Sequence, residues 1–207
     1  IPSLAFTALP FIYLAIVWSN LADTVPIHWD VSGEIDGWGP KSILIIIALV
    51  FPGLIYLLFL LTERFASEEK LNKMGKKFRS LKFILVLFSS VLTLFIIHSA
   101  NIGSIAQPTF LFATLGLLFA ALGNYFKVIQ PNYFIGIRTP WTLRHKSVWK
   151  STHLLGGKLW FAGGLLITLI ALISTSQIAL IGILTIVGVI TIVPITHSYL
   201  EAKKLKK

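Results

Sequence analysis

Residues Leu159–Leu200 read LWFAGGLLITLIALISTSQIALIGILTIVGVITIVPITHSYL, 42 positions without Asp, Glu, Lys or Arg. A helix needs roughly 20 apolar residues to cross about 30 Å of hydrocarbon, so this run is long enough to cross twice. Its only polar cluster, Ser174-Thr175-Ser176-Gln177, places the turn between the two crossings. The same reading extends outward to uncharged runs at 1–22, 42–62 and 83–126. The run 83–126 is again of double length and breaks at Asn101–Pro108, where Gly103 interrupts one helix and Pro108 suits the start of the next. The pattern predicts helices near 2–21, 42–62, 81–100, 108–126, 155–173 and 178–199. The fold class is all-α: a polytopic membrane protein with six transmembrane helices. With 56% hydrophobic and 13% charged residues, the chain is far from the roughly 25% charge of soluble domains. That excludes a disordered chain and argues against a soluble enzyme. There is no cysteine, which excludes disulfides and thiolate metal sites.

Orientation follows from where Lys and Arg fall. Segment 63–82 holds seven, 127–158 holds six and 201–207 holds four, whereas the loop 23–41 holds only Lys41 and the two short turns hold none. Both termini are therefore expected in the cytoplasm and the loop 23–41 outside. This asymmetry accounts for the net charge of +10 without direct nucleic-acid binding. The run Lys70, Lys73, Lys76, Lys77 and Arg79 is what a cytoplasmic loop facing anionic lipid looks like. The chain starts at Ile1 without Met, so a few preceding residues are expected, and 1–22 reads as a retained span rather than a cleaved signal. We expect one membrane domain over 1–207, with a two-helix part at 1–80 and a four-helix part at 81–207.

Two connections are unusual. The outer loop contains Val25-Pro-Ile-His-Trp-Asp-Val-Ser-Gly-Glu-Ile-Asp-Gly-Trp-Gly-Pro-Lys41. His28 and Asp30 lie two apart, on one face of an extended backbone, and Asp36 can return after a turn at Gly33. His98 sits near the outer end of the third helix. An imidazole with carboxylates could ligate Zn²⁺ or relay a proton, so His28, Asp30, Asp36 and His98 are the metal candidates. Otherwise no cofactor is expected. The competing reading is a compact loop in which Trp29 and Trp38 anchor at the interface and the Asp side chains close turns.

The inner connection, 127–154, is rich in aromatic residues. Thr139-Pro140 or Thr142 can cap a helix that runs into the fifth span without a break. On that helix Trp149, His153, Gly156 and Trp160 recur at spacings of four, three and four and share one face. Arg138, just before the cap, offers a planar fork for a carboxylate or phosphate, and Asn124 is a candidate partner of the segment. Interfacial anchoring explains the same residues, and no nucleophile–base pair or carboxylate dyad is apparent.

The run Asn132-Tyr-Phe-Ile-Gly-Ile-Arg-Thr-Pro-Trp-Thr-Leu143, followed by Val148-Trp149 and Thr152-His153, resembles the signature of the SdpI family of bacterial immunity proteins. The pattern Pro26-x-His28 … Gly33-x-x-Asp36-x-Trp38-Gly39-x-Lys41 is similar to the accessory domain of unknown function often found in the N-terminal half of that family. The resemblance implies a multi-pass protein of the bacterial plasma membrane, without catalytic activity. Its best-known member protects a cell from its own secreted peptide toxin and holds a cytoplasmic transcriptional repressor at the membrane. On that reading His28, Asp30, Asp36 and Trp38 face the toxin, and Asn132, Arg138, Trp141, Trp149 and His153 face the cytoplasmic partner. The alternatives are a metal-dependent membrane enzyme built on the outer His/Asp cluster and, ranked last, a transporter or channel. Transport is disfavoured because Asp, Glu, Lys and Arg are absent from the predicted spans except for Lys82 and Lys158 near their ends.

Overall fold

The computed structural model describes residues 2–65, 68–104, 108–131 and 135–205, with backbone alone at 65 and 68–77. It is mostly helical, and packing divides it into two compact units, Ile1–Leu111 and Phe112–Lys207.

In the first unit α1 (Pro2–Val17) leads into two antiparallel strands, β1 (Thr24–Trp29) and β2 (Ile35–Pro40). The second apolar run forms α2 (Ile43–Ala48), a π-helical stretch Leu49–Leu54 and α3 (Ile55–Phe65), followed by α4 (Glu68–Ile102). The π-helical stretch contains Pro52. A proline has no N–H for the helical ladder and its ring crowds the preceding turn; the wider turn accommodates both within one continuous span. The connection 23–41 is thus a β-hairpin. Its backbone reverses at Gly33, whose φ is +92°, as the predicted turn requires. Val25, only 1% exposed, carries the hairpin into a core with Leu14, Val17, Leu21, Leu44, Ile97 and Ala100. Lys41, the one cation of this connection, closes its base. Its ammonium lies 3.1 Å from Asp23 and 5.3 Å from the Trp18 ring, and its amide donates to the Asp23 carbonyl at 2.9 Å.

The second unit holds most of α5 (Pro108–Phe126), then α6 (Pro140–Arg144), α7 (Lys146–Ile173) and α8 (Ser176–Lys204). Small residues let α5 and α7 touch backbone to backbone. A Cβ on Gly164 would strike the Ala120 amide, and one on Gly157 would lie 2.8 Å from the Gly123 carbonyl oxygen. Trp160 Nε1 donates to the Ile190 carbonyl at 3.1 Å, tying α7 to α8. The chain turns where the polar cluster placed it: α7 ends at Ile173, and the Thr175 hydroxyl caps α8.

Among the described residues, five helices are long and apolar enough to span a bilayer: Ile43–Arg64, Phe78–Ile102, Pro108–Phe126, Lys146–Ile173 and Ser176–Lys204. α1 is apolar but shorter, at 16 residues. The structure differs from the sequence expectation in three places: α4 begins at Glu68 rather than near 81, the connection 23–41 pairs as two strands in a chain expected to be all-α, and the start of the fifth span is broken. The fifth span does not continue unbroken from the Thr139 cap, because His145 is extended (φ −129°, ψ 115°) and separates α6 from α7.

Candidate functional site

On the hairpin, β1 and β2 bring His28 beside Asp36: Nδ1 and Oδ1 are 2.5 Å apart, with both side chains well exposed. The register makes this possible because His28 pairs with Gly37, irregularities flank it, and a Cβ at Gly37 would approach His28 Cβ to 2.8 Å. Asp30 does not join them. Its Oδ1 accepts from the Glu34 amide at 2.9 Å, its Oδ2 from Ser32 Oγ at 3.3 Å, and its carbonyl from the Gly33 amide at 3.0 Å. These bonds, that from the Glu34 amide foremost, hold the Asp30 carboxyl below the usual carboxylate range. His98 is engaged elsewhere, with Nδ1 3.0 Å from the Tyr13 hydroxyl. The four candidate ligands are thus distributed over three separate arrangements. Among the described residues no group of three or more His, Asp or Glu side chains could hold a metal ion. Trp38 is 58% exposed, so the hairpin presents an indole, an imidazole and the three exposed carboxylates of Asp30, Glu34 and Asp36 to its surroundings.

Within the connection 127–154, residues 137–142 are held by side-chain hydrogen bonds. Thr139 caps α6 in a reciprocal box with Thr142, whose hydroxyl also donates to the Ile137 carbonyl at 2.9 Å. The Thr139 hydroxyl lies 3.0 Å from that of Ser198 on α8, and Trp141 packs edge-on against Tyr199 at 5.2 Å. The break at His145 is what lets α6 reach α8 in this way.

Behind it, Trp149 and His153 occupy successive turns of α7 and stack, with ring centroids 4.1 Å apart and planes 20° apart. The Ile137 amide donates to His153 Nε2 at 3.0 Å, and His153 Nδ1 faces the Trp149 carbonyl at 2.8 Å. Nε2 must therefore accept and Nδ1 donate, which fixes a neutral ring with its proton on Nδ1. Trp149 Nε1 donates to the Ile129 carbonyl at 2.9 Å. Gly136, at φ +109°, is where the chain bends over the imidazole, and any Cβ there would collide with Nε2.

Trp149 and His153 are each 2% exposed, so they support the segment from beneath, while Arg138 is exposed and Trp141 half-buried at its surface. Asn124 is exposed. Asn132 lies outside the described residues. His197, which the sequence assigned no role, meets Ser151 across α7 and α8 at 2.7 Å. Ser198 and Ile137 belong to this network and were missed, because a hydroxyl and a backbone amide in an apolar run carry no distinguishing pattern.

The comparisons with known proteins fall on these same two regions. Residues 128–198 match the SdpI/YfhL protein family, and residues 5–55 match a domain of unknown function, DUF1648. The chain is similar to the immunity protein SdpI of Bacillus subtilis (strain 168), at 26% identity over 205 residues, covering 98% of this chain and 95% of the relative. No solved structure matches it. The resemblance read from the sequence is thereby borne out, and the protein is a multi-pass membrane protein similar to an immunity protein.

Proposed function

From an SdpI/YfhL segment, a DUF1648 segment and likeness to an immunity protein along nearly the whole chain, we propose that this protein is an immunity and signalling protein of the bacterial cell membrane. It protects against a secreted peptide toxin and recruits a cytoplasmic repressor. The observation that carries the reading is the near-complete overlap in length with an immunity protein. In this reading α1 is a sixth span, both termini are cytoplasmic and the hairpin is external, in keeping with the Lys and Arg distribution. The part before residue 80 supplies the toxin-facing surface through His28, Asp30, Asp36 and Trp38. The part from residue 81 supplies the inner surface through Asn132, Arg138 and Trp141, supported by Trp149 and His153. Relaying a signal requires toxin and repressor to favour the same arrangement of the helices, since a ligand shifts an equilibrium only by its differential affinity.

The test is survival of a sensitive host expressing the full chain and challenged with a panel of secreted peptide toxins. Protection against at least one is expected, and its weakening by His28→Ala or Asp36→Ala at unchanged membrane accumulation would assign the hairpin. Survival no better than that of the empty host across the panel overturns the immunity reading. Loss of accumulation in both variants would make the His28–Asp36 pair a structural brace instead.

A further inference from the structure

Within the first unit, α1, α3 and α4 border an open cavity of about 570 Å³ whose walls include Ser3, Tyr56, Glu63, Arg79, Lys82 and Phe83. Its size falls within the roughly 300–1,000 Å³ of small-molecule sites. Its charged groups sit just outside the ends of the uncharged runs 42–62 and 83–126. Lys82 is only 8% exposed; its ammonium sits 3.4 Å from Glu63 Oε2 and 4.4 Å from the centre of the Tyr56 ring. A buried ammonium is costly unless paired, and Glu63 with the Tyr56 face meets that need. Arg79 then remains as surplus positive charge in the wall. It is exposed, and among the described residues no carboxylate pairs with it.

The location narrows the ligand. Glu63 lies at the end of the apolar helix Ile43–Arg64, and Arg79 and Lys82 lie at the start of the apolar helix Phe78–Ile102. The cavity therefore opens at the depth where hydrocarbon gives way to head groups, with Phe83 edge-on against Phe6, ring centroids 5.6 Å apart, on its apolar side. Basic pockets between helices at this depth suit anionic head groups. A guanidinium fork can take two phosphate oxygens at once, and Lys82, already paired with Glu63, lines the same wall.

We propose that this cavity binds a phosphate group, delivered by an anionic phospholipid, with Arg79 as the principal ligand and Lys82 as the supporting cation. The site is independent of the toxin reading: it depends on Phe78–Ile102 lying in a bilayer, not on which side the hairpin faces.

The experiment is native mass spectrometry of the full-length protein in detergent, titrated in parallel with phosphatidylglycerol, phosphatidylcholine and inorganic phosphate. Wild type should retain phosphatidylglycerol in preference to phosphatidylcholine. Arg79→Gln should lose that preference, and Arg144→Gln, an exposed arginine outside the cavity, should keep it. Lys82→Gln, compared at matched membrane accumulation, should weaken it. Inorganic phosphate that binds wild type but not Arg79→Gln, and displaces the lipid, would support the same site with phosphate drawn from solution. Equal retention of the two lipids by wild type, or equal losses in the Arg79 and Arg144 variants, overturns the proposal.

Discussion

Replacing Gly136 by Ala tests whether the inner segment is held by His153. Gly136 has φ +109°, and a Cβ there would run into His153 Nε2, the acceptor of the Ile137 amide. Forcing a side chain into that region of backbone space costs on the order of 1–3 kcal/mol. Displacing the imidazole leaves a buried donor and acceptor without partners, which costs about 1–3 kcal/mol more. A combined penalty of roughly 2–6 kcal/mol, at about tenfold per 1.4 kcal/mol, corresponds to roughly 30- to 20,000-fold faster exchange of the Ile137 amide through local opening. Hydrogen exchange of the peptide containing 135–142, read by mass spectrometry on the purified full chain, measures it directly. His153→Ala removes the acceptor and makes room for the methyl group. In that background Gly136→Ala should therefore add only the backbone strain and cost less thermal stability than it does in wild type. Equal costs in the two backgrounds would refute the collision argument. Unchanged exchange in Gly136→Ala would refute the role of the Ile137–His153 bond.

Three further outcomes are expected. A cysteine introduced in the loop 23–41 should react with an impermeant thiol reagent in intact cells and one at 70–77 should not, since the native chain has no cysteine to interfere; the reverse pattern would invert both faces. Thr139→Ala removes the α6 cap and leaves the buried Ser198 hydroxyl without that partner, so thermal unfolding should register a loss of about 1–2 kcal/mol. Thr139→Ser, which keeps the oxygen, should restore most of it. Arg138→Lys should impair repressor recruitment nearly as much as Arg138→Ala if a planar fork is required there; full recruitment by the Lys variant would leave only attraction to anionic lipid, worth about 1 kcal/mol.

Sequence alone determined which segments are apolar helices. Charge-free length is a local property, and each uncharged run became one or two helices that turn at the polar residues between them. Local backbone chemistry was legible too: the reversal at Gly33, the Thr139-Pro140 helix start, and the shared face of Trp149, His153 and Gly156 all follow from residues within a few positions of one another. Tertiary structure decided the rest, because the deciding partners are distant in sequence. The strands of the hairpin are short, irregular and interrupted by Pro26. They hold because Val25 is buried against Leu14, Leu44 and Ile97 and because Lys41 returns to Asp23. The division of His28, Asp30 and His98 among three arrangements depends on register and on Tyr13, neither of which residue type can specify. Thr139 finds Ser198 across 59 positions, and Lys82 finds Glu63 and Tyr56 on a neighbouring helix. Hydropathy can place a helix in a bilayer, but which of its few polar groups meet is set by the angle and depth at which helices pack, and that is a property of the folded chain.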